Sequence, residues 1–394
     1  MRLSSRERML FTMEHKPVDH VPCCFMIFGA LRWRCADEFE FFRRQLELGL
    51  DVRVELPNLP LRYQPGVEVS CRRVPSDVPG RFLLEKTYRT ATGTLKAVVD
   101  LTDDWRAGDD IPIFSDYVAV RSRKFLIETE QDLQAFQTLL APPSDEDIRQ
   151  FRKVAAEYKH FADEHGLLVS AGYRGGLGGV AGDGGTMGMD ALMWLCGIQN
   201  AIFAAIDRPD FVHDVSEVIR QWNLARTRVY LDTGIDLLVR RAWYEGTEFW
   251  SPDLYRRFMV PHVSEEINLV HHAGARFGYI MTSGMASLLG PIRDMRPDVV
   301  IGIDPVQGKG TDLKLFKREL AGRVAIWGGI SGDLNIEHGT PEEIIKVTNC
   351  ALDTLGPGGE FILSPVDNVR DTSDSTWKNV EVFIDTWKTW VRNH

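Results

Sequence analysis

The sequence predicts a (β/α)8 barrel of the TIM type, with a small antiparallel β insertion after strand two. Three observations predict it. Apolar runs at 277–281, 299–303, 324–327 and 361–363 each stop abruptly at small, polar or charged residues. Amphipathic, helix-like sequence lies between them, which is the strand, loop, helix rhythm of a barrel. Residues 58–130 break that rhythm with hairpin-like alternation instead. Barrels of this kind do their chemistry on the loops after the strands, so the strand tips are the candidate site.

The elements follow in order. Ser4 or Ser5 caps a first helix, which Pro17 and Asp19 end. The apolar run 20–29 reads as strand one, 37–48 as a helix and 51–56 as strand two. Alternation at 82–88 and 94–101 around Ala91, Thr92 and Gly93 predicts a hairpin. Residues 111–126 read as irregular or short-stranded. The whole of 58–130 is expected to form a small antiparallel cap over the barrel mouth, within a single domain spanning 1–394. Helices follow at 130–140 and 145–165. Strand three at 167–172 runs into a glycine-rich stretch, 172–188. Helices at 191–206, 209–232 and 252–272 flank strand four at 235–240. The four opening runs make strands five to eight, and 376–391 closes the chain as a helix.

Composition narrows the function. The 394 residues are 44% hydrophobic with a net charge of −10. That acidity disfavours nucleic acid, which needs clustered Lys and Arg. It leaves room for a small anion gripped by a few arginines. No run approaches about 18 apolar residues, so no membrane span is expected. The N-terminus lacks the apolar core of a signal peptide. The six cysteines show no paired metal spacing, and a reduced, cytoplasmic setting is expected.

Several tips carry chemistry. The glycine-rich stretch lacks the context of a dinucleotide fingerprint and reads as a lid or a plain loop, with Arg174 as its anion contact. Strand four ends in Arg240, Arg241, Trp243 and Glu245. Alternation puts the two arginines on opposite faces. Glu245 is a candidate acid or base, and an Arg–Glu ion pair holding the loop is the competing reading. Tyr279 is a candidate proton donor or an interior barrel residue with a partnered hydroxyl. Ser283 stands at the tip of strand five, Asp304 after strand six, and Asp367 and Asn368 after strand eight. Asp304 also suits a turn cap. His271 and His272 are consecutive on a helix and cannot share a face, so no joint metal site follows.

At these residues a resemblance enters. The opening Arg6-Glu-Arg-Met-Leu-Phe-Thr-Met-Glu-His-Lys-Pro-Val-Asp-His-Val-Pro22 resembles the start of uroporphyrinogen decarboxylase superfamily members. So do Trp250-Ser-Pro-Asp-Leu-Tyr-Arg-Arg-Phe-Met-Val-Pro261, Gly329-Ile-Ser-Gly-Asp-Leu, Gly339-Thr-Pro-Glu-Glu and Gly358-Gly-Glu-Phe-Ile-Leu-Ser-Pro365. The resemblance implies a (β/α)8 barrel with its site at the C-terminal face. It implies either decarboxylation without a cofactor or methyl transfer with corrinoid proteins, often using zinc. Where the decarboxylases carry Arg-Gln-Ala-Gly-Arg, this chain has Phe28-Gly-Ala-Leu-Arg32. Where they carry a late His, it has Ser364-Pro-Val-Asp367. Where the zinc enzymes carry His-x-Cys-Gly, it has Met281-Thr-Ser-Gly284, and Asp367 stands at the place of their last Cys. No metal site is therefore expected.

The resemblance places the chain nearer the methyltransferase branch. The implied activity moves a methyl group between a small O-, N- or S-methylated substrate and a corrinoid (cobalamin) carried by a partner protein. Glu245, Tyr279 or Asp367 would then protonate the leaving heteroatom. Arg174 or Arg241 would hold an anionic group, with Trp243, Ser283, Asp304 and Asn368 lining the site. A homodimer is implied on the same ground. The alternatives are a cofactor-independent decarboxylase or lyase, and a non-catalytic binding barrel.

Overall fold

A computed structural model describes residues 2–174 and 185–394. The chain divides into two compact units. One takes Met1–Pro57, Lys153–Leu177 and Tyr230–His394, and the other Asn58–Arg152 and Gly178–Val229.

The first unit is the barrel. Seven parallel strands run in chain order: Arg53–Glu55, Leu168–Ala171, Leu237–Arg241, Arg276–Ile280, Val299–Ile303, Ala325–Ser331 and Phe361–Val366. These are the expected strands two to eight, displaced by no more than a few residues at either end. The expected strand one forms no continuous ladder. It meets the last strand at two isolated parallel bridges, Cys23 with Leu363 and Ile27 with Asn368. On its other side the Asp51 N–H donates to the Cys23 carbonyl at 2.8 Å. The segment thus fills the eighth position. Side chains supply the bonds that a ladder would have made. Ser364 Oγ accepts from the Met26 N–H at 2.7 Å, and Asn368 Oδ1 from the Gly29 N–H at 3.0 Å. Asp51 Oδ2 accepts from the Cys23 N–H at 3.0 Å, and Trp327 Nε1–H donates to the Cys24 carbonyl at 2.8 Å.

The period of two sorts the barrel residues. Leu237, Val239, Ile280, Val299, Ile301, Ala325, Trp327 and Ile362 meet in one buried cluster. Met9 and Met13 of the helix Ser5–Met13 are buried in the same cluster. Each Val, Leu, Ile or Met side chain among them contributes roughly 1.5–3 kcal/mol on full burial. Ser4 sets that helix by a capping box with Glu7. A Cβ at Gly278 would sit 3.0 Å from Ile301 and 3.4 Å from Leu237. A larger residue there would push on the methyl ends of these two side chains.

The second unit holds a four-stranded antiparallel sheet of Glu68–Pro75, Phe82–Thr90, Gly93–Asp100 and Ser122–Lys124. Its central hairpin turns where the Ala91, Thr92 and Gly93 signal lies, with Thr90 paired to Gly93. Leu84, Val99, Ile111 and Val118 form its small core. The expected insertion, 58–130, lies in this unit. The unit also takes residues 131–152, the helices Met189–Cys196 and Ile198–Asp207, and most of the helix Pro209–Asp232. Residues 175–184 of the glycine-rich stretch lie outside the described residues. Among the described residues, no single helix is long and apolar enough to cross a membrane.

Candidate active site at the barrel mouth

Strand register separates the two arginines of strand four. Tyr279 pairs with Arg240, and Ile280 with Arg241. Ile280 belongs to the interior cluster, so Arg241 points inward, and Arg240 and Tyr279 point outward to the surrounding helices.

The outward side holds a buried polar network. Arg240 donates to Glu245 Oε1 at 2.8 Å and to Glu266 Oε2 at 2.5 Å. Glu245 ends the short turn Trp243–Glu245, and Glu266 lies on the helix Val260–His272. The Tyr279 hydroxyl donates to Glu245 Oε2. The Tyr255 hydroxyl lies 3.2 Å from that of Tyr279. Glu245, Tyr279 and Tyr255 have no exposed surface, and Arg240 is 6% exposed. Burial opposes charge on Arg240, but Glu245 and Glu266 outweigh it and hold the guanidinium above its ordinary range. Burial pushes Glu266 up despite Arg240. Burial, then the charge of Glu245, pushes Tyr279 up as well. Glu245 and Tyr279 are thus brought together, but in the barrel wall rather than at its mouth.

The inward side opens on the mouth. The Arg241 guanidinium lies 4.3 Å from the Trp243 ring centre. Trp243 meets Tyr173 edge to face at 5.3 Å. Tyr173 follows strand three, and its hydroxyl is pushed up by burial while Arg241, Asp367, Glu55 and Arg53 act on it electrostatically. Arg53 donates to Glu55 and, at 3.4 Å, to the Met26 carbonyl. Its guanidinium stands 5.5 Å from the Trp327 ring. Asp367 is exposed after strand eight, with a left-handed φ of 62°. Asp tolerates that conformation better than most residues, and such outliers gather at functional sites.

The other candidate residues hold the frame. The Ser283 hydroxyl donates to Glu248 at 2.5 Å. Asp304 is buried, and its Oδ1 accepts from the N–H groups of Val306 and Gln307, which is the turn-cap geometry. Asn368 ties the eighth-position segment to the last strand through Gly29. Arg174 pairs with Glu38 at 2.7 Å, a carboxylate it shares with Arg32.

Arg53, Glu55, Tyr173, Tyr255 and Glu266 were not singled out from the sequence. For the first two a signal existed: Asp51, Arg53 and Glu55 put three charges on one face of a barrel strand. Glu266 and Tyr255 lie on amphipathic helices, where a polar residue facing the sheet looks like any other.

A uroporphyrinogen decarboxylase (URO-D) family profile matches residues 189–390. The chain belongs to the URO-D family. Among solved structures this URO-D member is similar to a methyltransferase from Methanosarcina mazei, at 13% identity and a TM-score of 0.59 over 99% of both chains. It is more weakly similar to a D-psicose 3-epimerase from Clostridium cellulolyticum H10, at 12% identity and a TM-score of 0.37 over 61% of this chain and 83% of that one. No curated protein matches the sequence. Family membership supports an enzyme of the uroporphyrinogen decarboxylase type, and the likeness to the methyltransferase shows a shared fold.

Zinc does not fit the tips of strands five and eight. Met281 is buried, Ser283 is bonded to Glu248, and no thiolate or imidazole stands there. Among the described residues, Asp333, Glu337 and His338, in the turn after strand seven, bring ligand atoms within 4.8 Å of one another.

Proposed function

We propose that this URO-D member is a methyltransferase-like enzyme. It moves a methyl group between a small O-, N- or S-methylated substrate and a corrinoid (cobalamin) carried by a partner protein. The observation that carries the reading is the end-to-end likeness to a methyltransferase, which takes in the second unit as well as the barrel. The corrinoid, when its carrier docks, supplies the cobalt centre that exchanges the methyl group.

The chain's own residues do the rest. Asp367, exposed at the mouth, gives or takes the proton at the leaving heteroatom. Arg241, stacked on Trp243, holds an anionic group of the substrate. Tyr173 and Trp243 supply apolar ring surface that excludes water from the reacting atoms. Glu245 and Tyr279 act through the wall as positioning residues, fixing the turn from which Trp243 projects.

The test mixes the purified protein with cob(I)alamin and a panel of methyl ethers, methylamines and methyl thioethers. The expected result is a methyl-dependent change in the cobalt absorption spectrum. No change with any member, or with any corrinoid protein offered, overturns the reading. The second reading, a cofactor-independent decarboxylase, is favoured by the two inward arginines, Arg53 and Arg241. Carbon dioxide release from a carboxylated substrate without corrinoid would decide for it.

A further inference from the structure

We propose that the open edge of the small antiparallel sheet, the strand Glu68–Pro75, is an interface on which a second copy of this chain docks edge to edge, with Ser70 at the two-fold axis. The surface belongs to the second unit, and nothing in it depends on methyl transfer.

The two edges of that sheet are built differently. Ser122–Lys124, at one edge, has 3 residues and joins its neighbour through a register shift. Short strands and bulges are how a sheet blunts an edge against pairing. Glu68–Pro75, at the other edge, has 8 residues. Its register with Phe82–Thr90 runs unbroken, from Glu68 opposite Arg89 to Pro75 opposite Phe82. All of its residues but Cys71 and Val74 are exposed. It carries no lysine, and its one proline is its last residue.

Parity fixes which backbone groups point outward. The Ser76 N–H donates to the Arg81 carbonyl at 3.0 Å, and the Leu101 N–H to the Phe82 carbonyl at 3.0 Å. Bonds alternate along an antiparallel ladder, so Glu68, Ser70, Arg72 and Val74 bond to the neighbouring strand. Val69, Cys71 and Arg73 turn their N–H and C=O groups to the open edge. No bond to those groups is found among the described residues. An extended strand is the ligand that pairs such a row.

Charge selects the partner and the register. An antiparallel copy must set outward residues against outward residues, so the axis falls on a residue that faces itself. With the axis on Ser70, Val69 exchanges both backbone bonds with the partner's Cys71. Glu68 then stands opposite the partner's Arg72, once on each side of the axis. Both side chains are exposed, and the neighbouring strand already pairs them, Glu68 with Arg89 at 3.4 Å and Arg72 with Glu85 at 2.6 Å. Docking joins these pairs into one row of alternating charge. Opposite charges across strands favour pairing and like charges oppose it. An axis on Glu68 or Arg72 would set like charges face to face. An axis on Val69 or Cys71 would leave both charges unmatched.

The test is sedimentation of the full chain over a concentration series. The parent is expected to double in mass as concentration rises. Arg72→Glu and Glu68→Arg each set like charges opposite one another in the self-pair, and each is expected to stay monomeric with the parent's far-UV spectrum. Mixed in equal amounts, the two variants restore opposite charges at both places and are expected to regain the dimer. Ser70→Cys reads the register. The Cα atoms of a non-hydrogen-bonded pair lie about 4.5 Å apart, within the span of a disulfide. Mild oxidation is therefore expected to give a covalent dimer, with peptide mapping placing the link at position 70. A parent that stays monomeric throughout, single variants that dimerise like the parent, a mixture that stays monomeric, or a Ser70→Cys chain that cross-links no faster than the parent overturns the proposal.

Discussion

Arg240 and Arg241 are adjacent in sequence and live in opposite surroundings. Arg240 is locked between two carboxylates and backed by two tyrosines inside the wall. Arg241 lies on a tryptophan face at the mouth, among the charges around Tyr173. A one-residue step on a strand moves a side chain from one face to the other. The difference teaches that charge density at a strand tip does not locate a site. Parity against the interior residues does.

The largest effect expected from breaking this contrast is on stability. Arg240→Met strips two buried carboxylates of their shared partner and is expected to cost about 3–5 kcal/mol in urea unfolding. Arg241→Met is expected to leave stability within about 1 kcal/mol, as for a partly exposed charge. Its effect falls on turnover, with a loss of about tenfold or more in kcat/KM once a substrate is known. If both variants unfold alike, the distinction between wall and mouth fails.

Tyr279→Phe comes next. It removes one donor from Glu245 and is expected to cost about 1–3 kcal/mol in urea unfolding, with substrate binding unchanged. A large loss of binding with normal stability would move Tyr279 from the wall into the mouth. Asp367→Gly sharpens the other side. It relieves the left-handed backbone, so stability is expected to stay within about 1 kcal/mol of the parent while turnover falls.

The smallest effect is a pH slope. Burial raises Glu266 above its ordinary carboxyl value in the folded chain. The native state therefore holds that proton more tightly than the unfolded state. The stability this gives is full below the unfolded value and fades as pH rises through the folded one. Glu266→Gln is expected to flatten that slope in unfolding measured from pH 4 upward. An unchanged slope would assign the titration elsewhere.

Much of the fold was legible because barrel strands buried on both faces are written as apolar runs. The runs at 277–281, 299–303 and 361–363 fall on observed strands. Strand one was not legible as an exception, because its missing ladder is replaced by Ser364, Asn368, Asp51 and Trp327, which lie far from it in sequence. The second unit was underestimated because helices such as Met189–Cys196 fit the barrel rhythm equally well. At the site, the opposite faces of Arg240 and Arg241 were legible, but which one faced inward needed the register with Ile280. Tyr173 was hidden by the glycines around it.

The seam between the first and last strands has a consequence in time. Residues 22–29 find their partners 338 and 339 positions later, at Ser364 and Asn368. Synthesis runs from the N-terminus, so this segment leaves the ribosome well before its neighbour on the last strand. The barrel can close only after Ser364 and Asn368 have been made. Until then Cys23, Cys24, Phe25 and Met26, all buried in the finished protein, are an apolar segment paired on one side only.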